Sequence, residues 1–318
     1  MKNLALFLSA LLLTAAVWAD GLEPSTFKNP PSQFRGAPFW AWNTKMQPEH
    51  ISQLDRLQEM GFGGACLHAR TGLETEYLGP EFMSLVKASL KTAKSNSMYL
   101  LLYDEDRWPS GFAGGLVTVD PRYRQRRLVW TTHTNVPDAR LIGRYRVKLD
   151  TNGRLAGYRR VDDDERVDWS AWIQVSETKA WHNNQTYVDT LNPEAIKKFV
   201  DVTHKKYQKA VGGEFGKHIP GIFTDEPQFI SKGALKTPTD KSDVLMPFTE
   251  DFLVTYKKAY GQNLEEYLPE LFWELQAGKT SVTRYRYHDH VAERFSHAFG
   301  ETLGKWCGAH KLPLTGHM

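Results

Sequence analysis

Gly221-Ile222-Phe223-Thr224-Asp225-Glu226-Pro227 decides how this chain is read. An apolar run of strand length ends in two adjacent carboxylates, and a proline stops it. In a barrel of parallel strands, the polar residue just past a strand's C-terminal end faces the substrate cavity. A carboxyl group half shielded there has its pKa raised and acts as a general acid near neutral pH. The competing reading is a strand followed by a solvated loop. Other strand ends of the same character favour the first.

Working outward, strand and helix signals alternate. Pro38 to Trp42 reads as a first strand. Pro48 opens a helix with Ile51, Leu54, Leu57 and Met60 on one side, and Gly61 closes it. Phe62 to His68 is a second strand. Pro80 opens the next helix, with Phe82, Val86, Leu90 and Ala93 at helical spacing. Met98 to Tyr103 is a third strand, apolar without alternation, as strands covered on both faces are. The βα order resumes at Asn192-Pro193-Glu194, an N-cap with proline at the first helical position. Ile219 to Thr224 is the fourth strand, and Pro313 to Met318 begins a fifth. Between the last two, Tyr287, Val291, Phe295, Phe299, Leu303 and Trp306 form the stripe of one long helix.

The pattern breaks between about Arg127 and Tyr187, where Thr, Val, Tyr, Trp and Arg dominate and short turns such as Thr151-Asn152-Gly153 recur. These are antiparallel hairpins inserted after the third strand. The expected fold is therefore α/β, a (β/α)8 TIM-type barrel, incomplete in this chain, with an inserted antiparallel β subdomain. The expected division is a leader over 1–19, the first part of the barrel over 20–126, and the insertion over 127–187. The barrel then continues over 188–318, truncated at the C-terminus. No Gly-rich phosphate loop follows the first strand, which counts against a nucleotide-binding open sheet.

The leader joins Lys2 to an uncharged stretch from Leu4 to Val17 and ends in Val17-Trp18-Ala19, the pattern of a secretory signal cleaved after Ala19. The mature chain is expected to be exported, periplasmic or secreted, with no membrane association after cleavage. A formal net charge of +3 suggests neither nucleic acid nor an acidic membrane surface as partner. Arg122, Arg124, Arg126 and Arg127 read as a solvated face. Cys66 and Cys307 show no disulfide framework and read as buried thiols.

The predicted strand ends carry a consistent chemistry. The first gives Trp40, Trp42 and Asn43, and the second His68 and Arg70. The third gives Asp104, Asp106, Arg107 and Trp108, the fourth Asp225 and Glu226, and the fifth His317. Aromatic faces cover the C–H surfaces of pyranose rings, while Asp, Asn, Arg and His bind hydroxyls. The expected ligand is an oligosaccharide or polysaccharide. Glycosidic cleavage needs two carboxyl groups. Glu226 is the candidate general acid, and Asp225 a structural partner or contact. The second carboxyl stays open between Asp104, Asp106 and a residue beyond Met318. In the insertion, Trp169, Trp172 and Trp181 form either a wall over the groove or the subdomain's own core. Asp104, Glu105 and Asp106 lack the spacing of a calcium loop, so no metal site is assigned to them.

Pro38-Phe39-Trp40-Ala41-Trp42-Asn43, the run from Gly63-Gly64 through His68-Ala69-Arg70-Thr71-Gly72-Leu73, Tyr103-Asp104-Glu105-Asp106-Arg107-Trp108-Pro109-Ser110-Gly111 and Thr224-Asp225-Glu226-Pro227 resemble the N-terminal barrel of bacterial α-L-rhamnosidases of glycoside hydrolase family 106. The resemblance implies a catalytic (β/α)8 barrel, exported carbohydrate degradation and inverting hydrolysis of terminal α-L-rhamnosides, and it leaves room for a bound calcium. Members of that family are much longer, which leaves the second carboxylate and the activity of this chain open. The alternative expectation is a carbohydrate-binding or inactive protein that keeps the sugar groove without the chemistry. A Schiff-base aldolase is disfavoured, because no strand-end lysine is present.

Overall fold

The structure, a computed structural model, describes residues 24–162, 165–276 and 278–317. The predicted leader lies outside them. Among the described residues ten strands follow in chain order: β1 (Phe39–Trp42), β2 (Gly64–Ala69), β3 (Tyr99–Tyr103), β4 (Arg126–Thr131), β5 (Ala139–Leu149), β6 (Leu155–Val161), β7 (Trp169–Val175), β8 (Gly221–Asp225), β9 (Val244–Phe248) and β10 (Leu314–His317). No described helix is long and apolar enough to cross a membrane. The described residues divide into two compact units, the first formed by 24–103 with 210–223, the second by those of 104–209 with those of 224–317.

In the first unit, β1, β2, β3 and the opening residues of β8 run parallel, with Trp40 opposite Leu67, Cys66 opposite Leu101 and Leu102 opposite Ile222. Every residue of β2 is buried, as a strand covered on both faces requires. β1 alternates instead, burying Trp40 and Trp42 and exposing Phe39 and Ala41. The buried face meets the helix Pro80–Ser95, whose Phe82 packs edge-on against Trp42 at 5.2 Å. That helix buries Phe82, Val86, Leu90 and Ala93, the stripe its sequence spacing predicts, together with Leu85 and Ser89.

The second unit contains an antiparallel sheet in the order β6-β5-β7-β4-β9. The turn predicted at 151–153 joins β5 to β6, and the Asp150 carboxylate accepts the N–H groups of Asn152 and Arg154 at 2.8 and 2.9 Å. One strand lies outside the predicted 127–187 segment: β9 pairs with β4, placing Met246 opposite Leu128. Pro247 disguises it, since proline marks an edge strand, and β9 is at the edge. The sheet's apolar face then needs cover, which the helices Phe252–Tyr260 and Val282–Phe295 provide through Phe252, Tyr256, Tyr287 and Val291. Trp130 is the centre of this core, stacked on Phe272 at 4.6 Å and Trp169 at 5.6 Å.

The predicted long helix is interrupted by a π turn over Ser296–Glu301 before continuing as Thr302–Ala309. Its apolar residues recur every four positions, a spacing that drifts around an ideal helix of 3.6 residues per turn. The wider turn resets the drift, so Tyr287, Val291, Phe299 and Leu303 are all buried. Cys66 and Cys307 are both buried and form no disulfide.

The last two residues of β8, Thr224 and Asp225, belong to the second unit, and there the Glu226 N–H donates to His317 O at 3.2 Å, beside β10. Gly316 makes this approach possible. Its φ is +146°, and a Cβ would stand 1.8 Å from Thr224 O. The architecture is thus mixed α/β, with one parallel and one antiparallel sheet. The expected closure into an eight-stranded cylinder is not shown by the described residues.

Candidate functional site

The segment after β3 begins with Asp104 and Glu105, both fully buried in the second unit. Burial, and to a lesser degree the charge of Asp104, push the Glu105 carboxyl upward, and backbone N–H donors oppose them. Five donate: Asp106 and Gly114 to Oε1 at 2.8 and 2.7 Å, and Gly111, Phe112 and Ala113 to Oε2 at 2.9, 3.0 and 2.8 Å. A carboxylate has about four lone-pair sites. All are committed, leaving no room for a proton, so the cradle holds the ionised form. Gly111 and Gly114, at φ +131° and +61°, let the backbone curl its N–H groups inward. Glu105 is thus the clamp that shapes the loop, a role its sequence neighbourhood does not distinguish from that of Asp104 or Asp106.

Asp104 anchors the same loop to β8. Ser110 Oγ donates to Asp104 Oδ1 at 2.6 Å and accepts the Asp225 N–H at 2.8 Å, while the Ser110 N–H donates to Asp225 O at 2.8 Å. Burial pushes the Asp104 carboxyl up to about 7 against the opposing hydrogen bonds of Ser110 and Thr224. The other oxygen, Oδ2, stands 4.0 Å from Nε2 of His204, itself fully buried and pushed by burial down to about 3. Asp106 is held by Arg107 at 2.7 Å, and Asn183 Nδ2 approaches the same oxygen at 3.4 Å. Trp108 lies against Trp181, ring centroids 5.4 Å apart.

At the end of β8, Asp225 is nearly buried, with Oδ1 3.3 Å from His317 Nδ1. Glu226 follows with a left-handed backbone, φ +45°, and an exposed side chain. Such a φ is strained for a glutamate, and residues of this kind cluster at functional sites. Its exposure departs from expectation: the described residues give Glu226 no half-shielded position. Ligand atoms of Asp225, Glu226 and His317 lie within 4.8 Å of one another, so this trio could hold a cation. Two carboxylates and an imidazole do not fit calcium, which takes six to eight oxygens. Glu105 has no oxygen to spare and Asp104 is sealed, so the third strand's acids do not complete such a shell.

The sequence-predicted residues thus fall into two sets. Asp104, Asp106, Arg107, Trp108, Asp225, Glu226 and His317 belong to the second unit, tied together through Ser110. Trp40, Trp42, Asn43, His68 and Arg70 belong to the first. There the expectation for the two tryptophans is corrected: β1 alternation turns both into the helix-facing core, and Trp40 Nε1 donates to Gln53 Oε1 at 2.7 Å. His68 is also buried, 4.1 Å from the Tyr103 ring and 4.5 Å from that of Phe39. Asn43 and Arg70 are exposed, on the loops after β1 and β2.

In the antiparallel sheet Trp169 and Trp172 are buried, whereas Trp181 is not. The arginines of 122–127 have internal partners: Arg122 pairs with Asp120, Arg126 with Glu250 and Arg127 with Glu177. Ser110, Trp181, Asn183 and His204 are site-forming residues that sequence reasoning left aside or open. Only the glycines around 111–115 hinted at the curled backbone.

No family model and no curated protein matches the chain. Among solved structures it is similar to one described as the structure of a rhamnosidase from Novosphingobium sp. PP1Y, at 12% identity and a TM-score of 0.57. The likeness covers 92% of this chain and 47% of that one, so the chain spans about half the length of that structure. What the two share is a fold.

Proposed function

We propose that this chain is an exported, glycoside hydrolase-like protein that acts on terminal glycosides, α-L-rhamnosides first, through the carboxyl of Glu226. The observation that carries the reading is the strand-end group of Asp225, Glu226 and His317, braced by Ser110 against a loop whose backbone is clamped on Glu105. The fold likeness to a rhamnosidase, the sequence resemblance and the signal-like pattern of residues 1–19 support it. In this reading the chain forms part of a (β/α)8 barrel with a saccharide as its partner. Glu226 donates a proton to the glycosidic oxygen as the bond to the anomeric carbon breaks, and a second carboxylate takes one from the attacking water. Asp225, fixed by its backbone and by His317, sets the direction of Glu226 through the β8 end.

A second reading is favoured by one observation. Asp104 is sealed and Asp106 is bound to Arg107, so neither is offered as the water-activating base. A carbohydrate-binding protein without turnover would need no such base.

Replacing Glu226 with Gln tests the choice. Turnover of an alkyl α-L-rhamnoside is expected to fall by roughly 10²–10⁴-fold, the range for general acid–base catalysis, with an unchanged melting temperature. A nitrophenyl rhamnoside should lose less, because its leaving group departs with little proton assistance. Equal turnover by both proteins removes Glu226 from the mechanism, and no turnover by the parent chain favours the binding reading.

A further inference from the structure

The loop 180–185 of the antiparallel region is fastened to the segment after β3 at several points. Trp181 Nε1 donates to Trp108 O at 2.7 Å, Asn183 Nδ2 donates to Gly114 O at 2.8 Å, and Thr118 Oγ1 donates to Gln185 Oε1 at 2.9 Å. The result is a pair of indoles tilted by 53° and still 40% and 38% exposed. Among the other described tryptophans, Trp40, Trp42, Trp130, Trp169, Trp172 and Trp273 are each under 8% exposed, and Trp306 is half-buried. With the Trp181 N–H already satisfied, what that ring presents to solvent is its apolar surface.

We infer that Trp108 and Trp181 form a subsite for the sugar on the leaving-group side of a disaccharide, an inference that rests on the carbohydrate reading above. Indole faces cover the C–H faces of a pyranose ring. Beside them, the partly exposed Arg107 guanidinium, held by Asp106, and the exposed Asn183 side chain carry polar groups suited to hydroxyls. The paired charges offset each other, which selects a neutral hexopyranose over a uronate or sulfated sugar. Position agrees: Trp108 precedes by two residues Ser110, which exchanges two hydrogen bonds with Asp225, the neighbour of Glu226. Two residues span at most about 7 Å of backbone, so the Trp108 backbone lies close to the strand end that Ser110 holds. An open rim suits the second ring, since the cleaved residue needs closer enclosure.

The test measures binding in the full chain carrying Glu226→Gln. Titration calorimetry compares methyl glycosides with disaccharides of the same terminal sugar, the α-L-rhamnosyl-glucose pair first in the panel. Trp181→Ala should lower the ratio of disaccharide to monosaccharide affinity about tenfold, near the upper end of aromatic contact strength, and Trp181→Phe should restore most of it. A ratio within about twofold of the parent in both variants, or no binding of any saccharide, overturns the inference. Should Trp181→Ala fail to fold, the Phe variant and Trp108→Phe carry the comparison. A Trp181-dependent ratio in a chain that hydrolyses nothing leaves the subsite standing and removes the hydrolase reading. Hydrolysis with an unchanged ratio does the reverse.

Discussion

Asp104 and His204 face each other at 4.0 Å, wholly buried, and each is shifted toward its neutral form. Their linkage to stability has opposite signs. Asp104 keeps its proton in the fold up to about pH 7, whereas an unfolded aspartate releases it near pH 4. Its contribution is therefore complete below pH 4 and is lost as pH rises toward 7. His204 stays neutral in the fold down to about pH 3, so its contribution is complete above its ordinary pKa and is lost as pH falls. The two slopes oppose each other between about pH 4 and 6.5, and the parent protein's curve is flatter than either group alone would make it. Asp104→Asn removes one slope while an amide oxygen still accepts from Ser110. Relative to the parent, the variant should gain on the order of 4 kcal/mol between pH 4 and 7, at roughly 1.4 kcal/mol per unit. Urea unfolding across that range checks it, and a pH-independent difference would show that Asp104 is ionised throughout.

Among the elements, the loop after β3 owes its shape to one side chain. Glu105 collects five backbone N–H donors within ten residues, in a segment with no regular ladder to receive them. Glu105→Gln keeps the volume but turns an amide NH₂ toward donors, orphaning some of them. Each buried orphan costs about 1–3 kcal/mol, so a loss of at least about 2–4 kcal/mol is expected. Hydrogen exchange should show the amides of 111–114 losing protection before the rest of the second unit. Retained protection there would mean that the loop is held by its flanks alone. The sequence displayed the glycines and the acidic triplet of this loop, yet nothing in it said which carboxylate turns inward. The same limit applies to Trp40 and Trp42: their strand was legible from the apolar run, but the side covered by the helix Pro80–Ser95 was not.

For the molecule as a whole, one extended aromatic core lies against the antiparallel sheet, with Trp130 at its centre. Trp130→Ala should cost about 3–5 kcal/mol, the range for an aromatic deleted from a packed core. A fall in the guanidinium midpoint with an unchanged slope would register it, while a loss below about 1 kcal/mol would mean that the cavity collapses. This core drew on distant parts of the chain, hairpins over 126–175, the strand 244–248 and the helices up to 295. A reading that cut out 127–187 as a subdomain could not see the strand and helices that complete it.

Local chemistry was legible because it is written within a few residues: apolar runs make the strands, prolines open the helices, and the Asn152-Gly153 turn marks a hairpin. The strand-end acids were visible for the same reason, since a carboxylate after an apolar run needs no distant partner to be noticed. Direction and burial were decided by packing between segments far apart in sequence. Side chains of similar type therefore ended in opposite roles: Glu226 open to solvent and Glu105 wrapped in backbone, Trp181 exposed on a rim and Trp42 sealed in a core.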